Sequence, residues 1–226
     1  MGSRQDSRAR IERQIVEVGR RHLVTDGAAG LSLRAIARDL GMVSSAVYRY
    51  VASRDELLTL LLIELYTELA DAVDRAHRAA PPDWREQLSA VAHTARTWAL
   101  GQPACWALLY GSPVPGYHAP ADRTVTPGTR VIGTLFGIVD AAVTGGAIAS
   151  SKVPAPEPLS SDFRRLAVEF GVGLDDATLA RCFLLWASLV GAISLEVFGQ
   201  YGADTLTDPA LVFDAQVRLL TEMLAG

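Results

Sequence analysis

Apolar residues return at intervals of three and four along almost the whole chain, the rhythm of one face of an α-helix. β-branched alternation is scarce and no Asn-Gly hairpin signal occurs, so a sheet has little to be built from. The spacing predicts an all-α protein. Ile11, Ile15, Val18 and His22 make one stripe of a helix over about 8–26, with Gly27 where a C-terminal stop belongs. Ser32 caps a short second helix whose Leu33, Ile36, Ala37 and Leu40 share a face, and Gly41 ends it. A third short helix begins near Ser44, with Val47 and Val51 inward. Ser53-Arg54-Asp55-Glu56 is a capping box that opens a fourth, running to about Arg78 before Pro81-Pro82 stops it.

Further helices are expected at about 83–101, 103–111, 127–149, 162–170, 175–200 and 208–225. Asp175-Asp176 and Asp208-Pro209 are credible helix starts, because Asp caps and Pro fits the first turn. Residues 112–126 and 150–161, rich in Pro, Gly, Ser or Ala, are expected as loops. Two apolar stretches, 182–195 and 132–148, fall short of the roughly 20 uninterrupted residues that a membrane span needs and read as buried helices. No apolar signal segment opens the chain, and a cytoplasmic location without membrane partners is expected.

The net charge of −4 argues against a polyanion as partner until its distribution is examined. Residues 1–54 carry ten arginines against five acids, a net +5, whereas the remainder is net −9. A basic head on an acidic body suits a chain of which one end meets nucleic acid. Within that head, residues 32–51 form two helices of about two turns around the tight Gly41-Met42-Val43 junction, the layout of a helix-turn-helix. Ile36, Leu40, Met42 and Val47 would lock the pair. Ser44 and Ser45 would allow close approach to base edges, Arg49 would pair with guanine or phosphate, and Tyr48 and Tyr50 would offer hydroxyls to phosphates. Arg4 and Arg8, in the N-terminal tail, are further candidates for groove or phosphate contact.

The segments 15–27, 31–41 and 47–51, followed by Ser53-Arg54-Asp55-Glu56-Leu57-Leu58, resemble the head of the TetR family of transcriptional regulators. The resemblance implies phosphate contacts for Ser32, Tyr48, Tyr50 and Arg54, and approach to base edges for Arg34, Ser44, Ser45 and Arg49. Two positions depart from the pattern. Val43 stands where a Ser or Thr cap is usual, which moves the start of the third helix to Ser44, and Val51 replaces a common Phe. Downstream, Pro103-Ala104-Cys105-Trp106, Tyr110-Gly111-Ser112-Pro113, Gly116-Tyr117 and Trp186 with Val190-Gly191 resemble a WHG-type C-terminal domain, with Val190 in place of its His.

These readings give a helix-turn-helix DNA-binding domain at 1–54 and a helical ligand-binding and dimerisation domain at 55–226. The expected partners are a pseudo-palindromic DNA operator, a second copy of the chain and a small, largely apolar effector that releases a repressor from its operator. Candidate ligand-contacting residues are His93, Trp98, Trp106, Tyr110, Tyr117, His118, Phe136, Phe183 and Trp186, with Glu196 a further polar candidate. Pairing is expected through the last two helices, along Phe183, Trp186, Val190, Ile193 and Val197. Cys105 and Cys182 read as buried thiols. No Gly-rich phosphate loop, catalytic motif or metal-ligand spacing occurs, so neither an enzyme nor a cofactor is indicated. An activator with the same contacts, or a helical small-molecule-binding protein without an operator, remain alternatives.

Overall fold

The computed structural model describes residues 2–150 and 153–226, with side chains from residue 6 onward. Among the described residues there are ten α-helices and no strand: α1 (Gly2–Gly30), α2 (Leu33–Asp39), α3 (Ser44–Val47), α4 (Arg54–Ala79), α5 (Trp84–Gly101), α6 (Pro103–Tyr110), α7 (Ala121–Thr144), α8 (Leu159–Phe170), α9 (Asp176–Val197) and α10 (Pro209–Ala225). Two compact units are defined, Met1–Glu68 with Gln102–Gly128, and Leu69–Gly101 with Thr129–Gly226. Their division falls inside α4, and the first unit takes in α6 and the start of α7.

In the first unit α1 packs on α2 and α6, and α2 packs on α3. Ile15, Ile36, Val47, Val51, Leu57 and Leu61 are wholly buried. Each such side chain stabilises the fold by about 1.5–3 kcal/mol relative to leaving it in water. The start and stop signals operate as the residues dictate. Gly27, at φ 68° and ψ 173°, breaks α1 where the stop was expected. Ser32 Oγ accepts from Ala35 N, and Ser53 Oγ accepts from Glu56 N at 3.0 Å. Helix α1 begins at Gly2, earlier than residue 8, because no breaker lies in that stretch.

In the second unit α9 packs on α5, α8 and α10, and α5 packs on α10. Asp175 caps α9 by accepting from Thr178 N, and Asp208 caps α10 with Pro209 in the first turn.

Two further helices, α7 and α8, differ from expectation in their bounds. Helix α7 begins at Ala121 and ends at Thr144, so residues 121–126 are helical and 145–149 are not. Thr124 Oγ1 donates to the Pro120 carbonyl at 2.9 Å and Asp122 favours the helix N-terminus, while Pro127 sits inside the helix and forfeits one bond, to the Arg123 carbonyl. Helix α8 begins at Leu159, before residue 162, where Glu157 accepts from Ser161 N and Oγ at 3.2 and 2.6 Å. The apolar stretch 182–195 lies in a 22-residue helix that is long and apolar enough to cross a membrane. Charged residues flank that stretch within the helix and are tied to the rest of the protein. Arg181 donates to the carbonyls of Leu224 and Ala149, and Glu196 is held by Arg96 on α5.

Candidate nucleic-acid interface

The turn between α2 and α3 is fixed by its backbone. Gly41 has φ 65°, a left-handed conformation that favours glycine. Its N–H donates to Arg38 O at 3.0 Å and that of Met42 donates to Ala37 O at 2.9 Å, the crossed pair that closes a helix and redirects the chain. Val43 then occupies the cap position of α3 without a side-chain bond, and α3 begins at Ser44. Past Val47 the chain keeps turning, with Tyr50 N bonded to Val47 O at 2.9 Å and Val51 N to Val47 O at 3.0 Å. Burial of Ile36, Val47 and Val51 locks this pair from within.

Its other side is outward. Arg34, Ser45, Tyr48 and Arg49 are exposed, and Tyr48 shows 45 % of its surface, a large share for an aromatic ring. Ser44 is half-buried. Ser32 is also half-buried, with its oxygen used in the cap and its O–H still able to donate. Tyr50 is half-buried, and the Arg8 guanidinium lies over its ring, 5.8 Å from the centroid. Arg8 thus stands beside a tyrosine of the reading edge. The side chain of Arg4 lies outside the described residues. Arg54 is differently engaged, since its Nη2 donates to the Ala28 and Ala29 carbonyls at 2.8 and 3.3 Å. That guanidinium straps α4 to the end of α1.

Sequence reasoning did not find two further features. Arg38, one helical turn after Arg34, is exposed beside it on α2. His22 Nε2 lies 2.6 Å from Asp39 Oδ2, joining α1 to the end of α2, and its Nδ1 lies 3.6 Å from Asp26. The imidazole holds the Asp39 carboxyl below its usual range. A stripe calculation places His22 on the inner face but cannot name its partner.

The nine ligand candidates divide between the units. Trp106, Tyr110, Tyr117 and His118 belong to the first. Trp106 is buried against Tyr110 at 4.4 Å between ring centroids, the Tyr117 hydroxyl lies 2.9 Å from Thr59 Oγ1, and His118 is exposed. Burial raises the Tyr110 phenol well above its ordinary range. His93, Trp98, Phe136, Phe183 and Trp186 belong to the second. Phe136 is fully buried and meets Phe183 and Phe170 edge-on at 5.9 and 5.1 Å, and Phe183 stacks on Phe163. Trp98 is buried and Trp186 half-buried. His93, 3.5 Å from Asp214, lines a cleft of about 420 Å³ with Arg85 and Arg218. Glu196 is held by Arg96, which donates to both carboxylate oxygens at 2.7 and 2.5 Å. Cys105 and Cys182 are buried, and burial pushes the Cys182 thiol up to about 12. Among the described residues no cluster of three potential metal ligands occurs.

A rigid pair of short helices, a closed turn between them and an arginine–tyrosine edge facing out define a helix-turn-helix DNA-binding head on an all-helical body. Comparison with known proteins agrees. Residues 88–220 match the tetracyclin repressor-like C-terminal domain, a span that includes both body segments carrying the resemblance. The chain is 61 % identical over its full 226 residues to the HTH-type transcriptional regulator Rv1816 of Mycobacterium tuberculosis, covering 97 % of it. The crystal structure of the regulatory protein SCO4313 is 29 % identical, with a TM-score of 0.78 over 96 % of this chain and 98 % of that one. The transcriptional regulator FadR from Bacillus subtilis, solved in complex with stearoyl-CoA, shares the fold with a TM-score of 0.65 at 14 % identity, over 92 % and 96 % of the two chains. The chain belongs to the TetR family of helix-turn-helix transcriptional regulators.

Proposed function

We propose that the chain is a homodimeric, cytoplasmic repressor that binds a pseudo-palindromic operator and leaves it when a small, largely apolar effector enters the body. The observation that carries the reading is the outward edge of the reading pair: Arg34, Ser45, Tyr48 and Arg49 exposed on a core-locked turn. Arg49 and Arg34 would meet base edges with Ser44 and Ser45, while Ser32, Tyr48 and Tyr50 would meet phosphates. Arg54 would act by holding that edge in place, since its Nη2 donates to the backbone of the chain itself.

Dimerisation is supported by α9, along an exposed row that adjoins the expected face at Phe183. Of the expected residues Phe183 is 38 % exposed, whereas Ile193 is 1 % exposed and Trp186, Val190 and Val197 are half-buried, so that face is open only at its Phe183 end. Ala180, Leu184, Ala187, Gly191 and Leu195 are exposed at intervals of four, three, four and four, one continuous stripe of small and apolar residues. Leu211 and Leu219 of α10 are 64 % and 63 % exposed. Apolar side chains in such a row call for a cover, and a second copy supplies the same row. Two heads so paired would enter successive major grooves about 34–36 Å apart and exclude the transcription machinery from the operator.

For the effector, the aromatic group of Phe136, Phe163, Phe170 and Phe183 offers an apolar wall. Long-chain acyl-CoA thioesters are the first probe, prompted by the relative solved with stearoyl-CoA. The test is selection of bound fragments from the source genome, followed by mobility shift with and without the probe. One enriched inverted repeat, bound as a dimer, is the expected result. Binding of all fragments alike at moderate salt would remove the operator from the account and leave a helical small-molecule binder.

A further inference from the structure

Three side chains from separate elements of the first unit close a hydrogen-bonded ring. Arg20 of α1 donates from Nη1 to Glu68 Oε2 of α4 at 2.6 Å, and from Nη2 to Glu68 Oε1 at 3.2 Å. The same Nη2 donates to Gln102 Oε1, at the cap position of α6. Gln102 Nε2 in turn donates to Glu68 Oε1 at 2.8 Å. Glu64, one turn earlier on α4, lies 3.6 Å from Arg20. An Arg–Glu pair alone would need no third member. The amide of Gln102 accepts from the cation and donates to the anion, so it fixes the angle between them.

The consequence runs along α1. Two residues beyond Arg20, His22 grips Asp39 at the end of α2, immediately before the Gly41 turn. The ring therefore sets where α1 stands on α4 and α6, and α1 in turn holds the helix that leads into α3.

We propose that Gln102 is a positioning residue for DNA reading, fixing α1 against α4 through Arg20 and Glu68 so that α2 and α3 meet the duplex at the productive angle. This rests on the DNA-reading function above. A misplaced head still touches phosphates but no longer matches base edges. The predicted signature is therefore a loss of selectivity with the salt dependence intact.

The test uses full-length protein and a fluorescent duplex chosen by wild-type binding to genomic fragments, with sheared heterologous DNA as the non-specific control and thermal melting as the measure of folding. Gln102→Leu is expected to bind the selected duplex about tenfold more weakly, with unchanged affinity for the control and an unchanged salt slope. Gln102→Glu supplies a second, pH-dependent arm. Gln102 meets Arg20 and Glu68 directly, and the titratable groups that act on that pair and its neighbours are Glu17 from α1, Glu64 from α4 and Cys105 from α6. At about pH 7.5 the variant's carboxylate cannot donate to Glu68 and repels it. Protonation restores a donor, so relative to wild type its affinity should recover toward about pH 5.5. That recovery is required even if Gln102→Leu folds poorly. If the wild type selects a duplex and both variants bind it equally well at every pH, or if losses track melting alone, the positioning role is overturned. If the wild type selects nothing, the DNA-reading function falls and the positioning role with it.

Discussion

Arg54 Nη2 donates to the Ala28 carbonyl oxygen at 2.8 Å, joining the first turn of α4 to the end of α1 across the segment that contains the reading pair. The Ala29 carbonyl takes a second, longer bond at 3.3 Å. Both carbonyls follow the Gly27 break, where regular helical partners are lost. Arg54→Ala should therefore lower stability by about 1–2 kcal/mol, less than a fully buried charged bond because the side chain remains about a third exposed. Operator affinity should fall while the slope of log affinity against log salt stays at the wild-type value. A slope smaller by about one would instead make Arg54 a phosphate contact.

Arg49 is exposed, next to the exposed Tyr48, on the turn that closes on the fully buried Val47 and Val51. A side chain so placed, with its base rigid and its guanidinium open, can form a bidentate contact with guanine. Arg49→Ala should cost about 1–3 kcal/mol of operator binding and relax preference at one base pair in each half-site. Competition with single-substitution operators reads this out. Equal weakening on every duplex would assign Arg49 to the phosphates.

The head was legible because its signals are local. Ser32, Gly41 and Ser53 act within four residues of themselves, and the apolar spacing of Ile36, Val47 and Val51 needs only helical geometry. The bounds of α7 were less legible because Pro127 reads as a start, whereas the bond from Thr124 to the Pro120 carbonyl carries the helix across it. Which side of α9 is exposed was not legible for a physical reason. Helix α9 is apolar on more than one side, and composition cannot say which side meets the core. Ile193 and Leu195 read alike in sequence, yet one is 1 % and the other 40 % exposed. Long-range polar pairs were out of reach as well: nothing near Glu196 in sequence points to Arg96, a hundred positions away.

That pair sits at 16 % and 12 % side-chain exposure, with the Arg96 guanidinium also 5.6 Å from the Phe213 ring. Removing one member leaves the other charge half-desolvated among α5, α9 and α10. Glu196→Gln should destabilise the protein by about 3 kcal/mol, whereas replacing both residues with apolar ones of like volume should cost much less. Denaturant midpoints of the two variants decide it. A single variant as stable as the double would show that water already screens the pair.

The Asp39 carboxyl of the head is held below its ordinary range. The hydrogen bond from His22 is the main cause of its depressed carboxyl pKa, with Arg38 and Arg21 adding attraction. A depressed folded-state pKa gives stability that is full above the ordinary carboxyl value and lost as pH falls through the lower, folded one. The wild type should thus lose stability on acidification below about pH 4 more steeply than Asp39→Asn, which lacks the titrating group. At neutral pH Asp39→Asn should be the less stable of the two. Denaturant titrations from about pH 7 down to 3 test both halves of this, and parallel curves would detach Asp39 from the acid response.

The exposed row on α9 makes the sharpest demand on assembly. Gly191 sits at its middle with no atom within 4 Å of where a Cβ would stand, so a side chain there is accommodated in the isolated chain. Between two copies the same position would set how closely the helices approach. Gly191→Glu should leave the helix content and the melting of the monomer nearly unchanged while burying a carboxylate in the paired state, where it faces its own symmetry mate. Leu184→Glu, at a side chain 53 % exposed, makes the same test about two turns away. Both should shift sedimentation from dimer to monomer at micromolar concentration and abolish binding to a full operator, while an isolated half-site keeps its weak affinity. A dimer that survives both substitutions would have to be built on another surface, and the apolar row of α9 would need a different occupant.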